Sequence, residues 1–485
     1  MVPDDEGGGL MRVDLLGDAI DGLDEALTAV DGFDDVLVGG LLRPQPGQSD
    51  GLMGLAEAVA GTPLASRVAE AAEKTAAGAA GEDHFVALAA ARTALLGSVH
   101  DALAARVEEV VDRPRAEESA GEAAPGGVGD AGRGEETQAS NLGAAARSWL
   151  SDLARAGWQG IDHDLVAEAA PVVSAMLPDP ALRRLATLLD GFAGELAACC
   201  PGAGLERIPV RRWADLWSRA MLLTVPGAGS ASAGRGEATG RLLPLGVDVQ
   251  EHATAVQAQV HGVFEPADGG TPRLVRASVS APKPDTVVGA GLWQVLRPHM
   301  SLLTAVSEER VMALDAMPLT AEGDLIWDDG RARMGDSAEV FTTARVALPT
   351  AAAFPTAPLD RHPARLAVPV LLEGYAVEEG DDGAVAFEIA GQRLAVDAER
   401  APTAGPLTAE AVASSAACIG LLRWDAGEFL LQPLAVERTV GKKSVAVHAG
   451  AWAGGTSDKA GVRAEKAATD AVKVLRERAG KLLRK

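Results

Sequence analysis

Val256-Gln257-Ala258-Gln259-Val260 sets apolar side chains two residues apart, and Leu274-Val275-Arg276-Ala277-Ser278-Val279 repeats the pattern in part. A period of two puts alternate side chains on one face of a strand, so this stretch is half-buried sheet. Farther on, Ala384-Val385-Ala386-Phe387-Glu388-Ile389 and Arg393-Leu394-Ala395-Val396 flank Ala390-Gly391-Gln392, a β-hairpin pattern. Further strands are expected at 311–316, 324–327, 340–348, 365–373, 428–434 and 444–448. Helical patterns interrupt them near 292–307, bent at Pro298, and at 408–419. Helices do not alternate with strands. A partly open barrel or a sandwich over 241–457 is therefore expected, not a parallel sheet.

Before residue 241 the spacing is helical. Leu15, Leu16, Ala19, Ile20, Leu23, Leu27 and Val30 recur every three or four residues, with Asp18, Asp21 and Asp24 between them. Asp31-Gly32 is expected to stop that helix. The apolar run 36–42 reads as a strand or buried turn, and Pro44, Pro46 and Gly47 as a loop. Helices follow at about 52–79, broken at Gly61-Thr62-Pro63, and at 83–111, which makes 10–112 one helical unit. Residues 113–140 nearly lack large apolar side chains and read as a flexible linker. A second helical unit, 141–225, has candidate helices at 142–156, 164–176, 180–198 and 209–224. A Gly/Ser/Ala linker, 226–240, follows. The expected class is α+β and multidomain: a helical N-terminal half, a β-rich, barrel- or sandwich-like C-terminal half, and a basic amphipathic helix over 458–485.

The 485 residues are 47% hydrophobic and 23% charged, enough for real cores. Net charge is −24, so most of the surface repels phosphate backbones and nucleic acid has only the C-terminal tail to bind. Three Cys cannot form a disulfide framework, and a cytoplasmic location is expected. Residues 1–6 are acidic with no apolar run behind them, unlike a secretory signal, and Met11 is a second candidate start. No apolar run is long enough to span a bilayer; the nearest approach, 411–422, is short and holds two Ser.

Lysine placement is the most informative feature. Seven of nine Lys follow residue 440, and 441–485 hold eleven basic residues against four acidic ones. In the expected last helix, Ala464, Ala468, Ala471, Leu475, Ala479 and Leu482 form an apolar stripe, while Lys459, Lys466 and Lys473 recur every seven residues on another face. Such a helix either binds an anionic partner, with Lys481 adding to the contact, or docks on the protein's own acidic body. A second candidate surface is Arg211-Arg212-Trp213-Ala214-Asp215-Leu216-Trp217. Trp213 and Trp217 either anchor the helical core or, with Arg212, form a partner-binding hot spot.

Catalytic motifs fail on context. Gly47-Gln48-Ser49-Asp50-Gly51 matches a nucleophile elbow, but Pro44 and Pro46 spoil the strand that must precede it, and Ser49 reads as a helix cap. Gly127-Val128-Gly129-Asp130-Ala131-Gly132 has the dinucleotide spacing but lies in the linker. Gly441-Lys442-Lys443-Ser444 lacks the first glycine of a phosphate loop. The eight His show no metal-ligand spacing, and Asp162-His163-Asp164 reads as a helix start. Cys199-Cys200 reads as a pair of buried thiols. No cofactor or metal is expected.

The Trp-containing helix, with the Gly-rich break and β-rich region after it, resembles over residues 205–350 uncharacterised bacterial proteins encoded beside MoxR-type ATPases, von Willebrand A domains and SWIM zinc-finger proteins. The resemblance implies an accessory part of a multiprotein system and carries no catalytic motif. The leading expectation is a non-enzymatic interaction or scaffold protein with a protein partner. The alternatives are a hydrolase-like enzyme whose site gathers dispersed residues, with His252, His261 or His299 in a pocket, and nucleic-acid association through the tail.

Overall fold

The computed structural model describes residues 12–44, 46–113, 133–227, 235–251, 255–284, 286–296, 300–380 and 383–482. After a 3-10 turn at Val13–Gly17 the helical half contains α1 (Leu23–Gly39), α2 (Ser49–Ala58), α3 (Ala65–Ala76), α4 (Glu82–Val111), α5 (Arg133–Ala156), α6 (His163–Ala167), α7 (Ala169–Met176), α8 (Arg183–Ala198) and α9 (Val210–Leu223).

Two expectations about α1 are corrected. Gly22 is left-handed (φ 78°), so the pattern that begins at residue 14 splits there, and the helix proper starts at Leu23. It then runs through Asp31-Gly32. Gly32 does not end the helix because it serves a crossing: a Cβ on Gly51 of α2 would lie 2.3 Å from the Gly32 carbonyl oxygen. Val36 and Leu37 therefore lie on α1, buried, and not on a strand. Helix α5 begins at Arg133, inside the expected linker; Glu, Gln and Ala in 133–140 are good helix formers despite lacking bulk. The rest of that linker, 114–132, lies outside the described residues. The helices on either side of it close on one core, with Phe33, Leu88, Leu150 and Phe192 fully buried together. The two expected helical units thus share one interior, because α9 packs against α1, α4, α5 and α8 at once.

The β-rich half opens with β1 (Arg235–Glu251), which begins inside the second expected linker; 228–234 lie outside the described residues. It continues with β2 (Ala255–Pro266), β3 (Arg273–Pro282), α10 (Leu292–Val295), α11 (Met300–Ser307), β4 (Arg310–Thr320), β5 (Asp324–Leu325), β6 (Ala332–Ser337) and α12 (Val340–Val346). Then come β7 (Val368–Glu373), β8 (Ala376–Glu379), β9 (Val385–Ile389), β10 (Gln392–Val396), α13 (Ala409–Ala413), β11 (Ala417–Asp425), β12 (Glu428–Val440), β13 (Lys443–His448) and α14 (Lys459–Leu482). The bend expected at Pro298 lies outside the described residues.

Strand β1 is long enough to pair with β2 along its length and with β4 near its start. The order β1-β2-β3-β5-β4 consequently returns to β1 and closes a small barrel, with β6 beyond β4. The second sheet is open, ordered β7-β11-β12-β10-β9-β8, with β13 also on β12. Tight turns set its register. Ala390-Gly391 (φ 52° and 81°) joins β9 to β10, and Ala426-Gly427 (φ 49° and 94°) joins β11 to β12. Two successive left-handed residues make the type I′ turn that matches strand twist.

Two elements differ from expectation. Residues 340–348 hold a helix, not a strand, because the Glu339 carboxylate caps it, accepting from the backbone of Phe341 (3.0 Å) and Thr342 (2.7 Å). Val340, Phe341, Ala344 and Leu348 are all buried, at a helical spacing. At 408–419 the helix stops early: Ser414 and Ser415 donate back to the carbonyls of Glu410 (2.9 Å) and Val412 (2.6 Å), and β11 takes the rest. The main β core draws on the strands of both barrel and sheet and takes in Val99, Leu103 and Val107 from the second half of α4. Among the described residues no helix is long and apolar enough to cross a membrane.

The α1–α2 crossing makes a paired prediction. Gly51→Ala should destabilise the fold by about 1–3 kcal/mol, since the new methyl meets backbone. Gly54→Ala, on the same helix with nothing within 4 Å of its Cβ position, should stabilise by about 0.5–1 kcal/mol. Urea unfolding of the two variants measures both.

Candidate functional site

Helix α9 places its tryptophans inside. Trp213 is 1% exposed and meets Trp158 edge-on at 5.6 Å; Trp217 is 0% exposed, and its indole donates to the Leu150 carbonyl at 2.8 Å. Neighbouring helices cover the face that carries Trp213 and Trp217. Arg212 is exposed and forks onto Glu195, with one contact at 2.8 Å. Arg211 pairs with Asp31 of α1 and not with Asp215, which binds Arg219 at 3.4 Å.

These arginines belong to a charged seam between the helical half and residues 355–366. At its buried end Arg92 of α4 grips Asp34 of α1 through contacts of 2.6 and 2.8 Å, both side chains being 1% exposed. Asp215 lies 3.9 Å from Arg92 and 3.7 Å from His362. Asp360 receives Arg365 (2.8 Å), Arg184 (3.0 Å) and Arg219 (3.4 Å), and Asp101 of α4 receives Arg361 (3.0 Å). Burial holds His362 down at about 4 against the pull of Asp215, with Arg92, Arg365 and Arg219 adding to the depression. Burial likewise pushes the Asp34 carboxyl up to about 6 against the Arg92 guanidinium.

A second polar group ties barrel to sheet. Asp248 of β1 accepts from Gln432 (2.7 Å), Gln250 (3.1 Å) and Arg423 (3.2 Å). His261 of β2 is fully buried nearby, and burial outweighs Asp248 in pushing it down to about 3. The carboxylate that could serve this histidine is spent on bonds between sheets, so the arrangement joins layers. His252 and His299 lie outside the described residues.

The remaining motifs find structural places. Ser49 is the first residue of α2, and Gln48, not Ser49, holds the cap position, contrary to expectation. Asp162 does cap α6, accepting from the Leu165 backbone at 2.8 Å. Gly441-Lys442 is a two-residue turn between β12 and β13. Residues 127–132 lie outside the described residues. Cys199, Cys200 and Cys418 are free thiols, of which only Cys418 is buried. Among the described residues no cluster could hold a metal ion. An open groove of about 590 Å³ lies over the α1–α2 crossing, edged by Asp24, Glu25 and Asp50.

Helix α14 docks on its own chain by one side. It packs against Gly289–Gly291 and α10, with Gly461 and Ala468 buried. Gly291 permits the approach: a Cβ there would lie 2.8 Å from the Ala468 methyl carbon. Lys459, Lys466 and Lys473 are exposed. The Lys481 side chain lies outside the described residues. No protein-family model matches the chain, and neither a curated protein nor a solved structure matches it.

Sequence reading missed the seam. Asp34 sits among Val30, Phe33 and Leu37 on the buried side of α1, and Arg92 among Leu88, Leu95 and Leu96 on α4. A charge inside an apolar stripe was the available signal.

Two predictions follow from these polar groups. Arg92→Met should cost about 3–5 kcal/mol by stranding the Asp34 carboxylate, and adding Asp34→Leu should restore much of that loss. Urea unfolding of the single and double variants tests the pair. His261, His362 and His448, the last also held down at about 4 by burial, are neutral in the fold. Depressed folded values mean that their contribution is complete above pH 6.5 and is lost as pH falls from there toward 4. The carboxyls of Asp34, Glu309 and Asp324, all raised by burial, work in the opposite sense below about pH 6. Melting temperature should therefore be flat from pH 8 to 7 and fall between about pH 6.5 and 6. His448→Gln should reduce the slope of stability against pH by up to about 1.4 kcal/mol per unit.

Proposed function

We propose that the chain is a non-enzymatic interaction protein that displays α14 as a basic rod to an acidic protein partner. The observation that carries this reading is the division of α14 into two sides: Ala468 is buried in the β core and Ala471 packs against it, and Lys459, Lys466 and Lys473 are exposed at seven-residue spacing. A seven-residue repeat keeps side chains within about 20° of one another per step around a helix, so the three ammonium groups form a ladder. Residues 459–482 carry seven basic and three acidic side chains on a chain of net charge −24. A rod already held in place orders fewer bonds on binding than a free tail would.

A cytoplasmic location belongs to the same proposal and rests on the three free thiols. So does a role as an accessory component of a bacterial multiprotein system, which rests on the resemblance over 205–350.

The experiment is affinity purification from the native host at low and high salt, with the full chain and with K459E/K466E/K473E. A stoichiometric protein that comes down with the first, is lost with the second and is released by salt is the expected result. Recovery of the same protein with both, or of nucleic acid in place of protein, overturns the reading. Gly291→Val supplies a separate check. It should lift α14 from its seat and make 459–482 at least several-fold more sensitive to limited proteolysis.

A further inference from the structure

Strands β12 and β13 end in a ribbon whose tip, 439–445, is exposed on both faces. The two-residue turn Gly441-Lys442, with Gly441 left-handed (φ 67°), joins the pair Val440↔Lys443. In such a hairpin the flanking pair exchanges both backbone hydrogen bonds, and bonded pairs then alternate along the ladder. Arg438↔Val445 and Val436↔Val447 are the next bonded pairs. The N–H and C=O groups of Ser444 and Ala446 therefore point away from β12. Among the described residues no strand pairs with that outer edge.

The side chains around this edge have a definite character. Arg438, Val440, Lys443 and Val445 share one face of the ribbon, since opposed residues and residues two apart lie on the same side. Val440 is 52% and Val445 41% exposed. Lys442 stands at the turn. No carboxylate occurs in 438–448, and the nearest one in the ladder, Glu437, is taken by Arg345 at 2.8 Å.

We propose that the outer edge of β13 receives an extended acidic segment of a partner protein as an added strand. Backbone pairing at Ser444 and Ala446 supplies the attachment, and on the face shared by Arg438, Val440, Lys443 and Val445 the segment presents, two residues apart, carboxylates to the basic side chains and apolar side chains to the valines. An open edge offers donors and acceptors together. A peptide backbone answers both, whereas a phosphate backbone only accepts, so the edge fits protein better than nucleic acid. This surface is separate from the lysine ladder of α14, and neither requires the other.

The test uses the full chain and a labelled Glu-Thr-Val-Thr repeat peptide, which sets Glu and Val in turn on one face (the Glu/Val peptide), with the corresponding Lys/Val peptide and an N-methylated Glu/Val peptide as controls, read by fluorescence anisotropy. The Glu/Val peptide should bind in a salt-sensitive way and the Lys/Val peptide should not. K442E/K443E should weaken binding roughly tenfold or more. N-methylation of alternate residues, which removes backbone donors and leaves the carboxylates, should weaken it comparably. Ser444→Pro should do the same from the protein side, since proline is tolerated where an edge N–H faces solvent. K459E/K466E/K473E should leave peptide binding unchanged. No binding of the Glu/Val peptide would mean that the lysines only guard the edge, and overturns the proposal. Equal binding of the N-methylated peptide, or loss with the α14 variant, also overturns it. So does self-association in sedimentation that K442E/K443E abolishes, which would assign the edge to a second copy.

Discussion

The first half of α4 buries Phe85, Leu88 and Leu96 in the helical core, and its second half buries Val99, Leu103 and Val107 in the β core. A helix of this length is about 45 Å long, so one rigid element crosses the boundary between the halves. Everything near that boundary is arranged around it. Arg92 projects from α4 into the buried pair with Asp34, and Asp101, a few turns on, holds Arg361 of the 355–366 segment. Farther along, Arg106 donates to the Asp18 carbonyl at 2.8 Å and secures the end of the 3-10 turn Val13–Gly17. Orientation between the halves is thus fixed by covalent continuity through a helix and by charge pairing along its flank.

Charge has two separate uses in this chain. Inside, guanidinium groups pair with carboxylates within the helical half and where halves or sheets meet: Arg92 with Asp34, Arg219 with Asp360, and Arg423 with Asp248. Outside, exposed ammonium groups gather on α14 and at the β12–β13 tip, whereas Lys283 is the buried exception, paired with Glu251 at 3.0 Å. The division suits the two side chains. A planar, weakly hydrated guanidinium forms forked buried pairs, while a strongly hydrated ammonium favours solvent and reversible contacts.

Much of the architecture was legible because periodicity is a local signal. The change from helical to alternating spacing near residue 241 marks the boundary between halves, and Ala390-Gly391 marks a real I′ hairpin. Errors arose where a local signal had a tertiary cause. Gly32 reads as a stop but is the floor of a helix crossing, and 340–348 reads as a strand until Glu339 is seen as its cap. The exposed lysines on α14 were legible from spacing and composition. The burial of Trp213 and Trp217 was one of two open readings, because an amphipathic face does not reveal what covers it. Charges inside apolar stripes marked Asp34 and Arg92, but not their partners: Asp34, Arg92, Asp215 and Asp360 lie far apart along the chain and meet only after folding.

The double membership of α4 also bears on how the chain emerges from a ribosome. Its N-terminal portion can begin to pack as soon as its helical neighbours have been made, but Val99, Leu103 and Val107 need strands from beyond residue 235. At translation rates of about 5–20 residues per second, the strands through β12 appear roughly 15–70 seconds after α4. For that interval the nascent protein carries an uncovered apolar stripe on an otherwise well-formed helix. It is a transient client for any factor that shields such surfaces, and the acidic surface of the surrounding helical half works in the same direction by keeping neighbouring nascent chains apart.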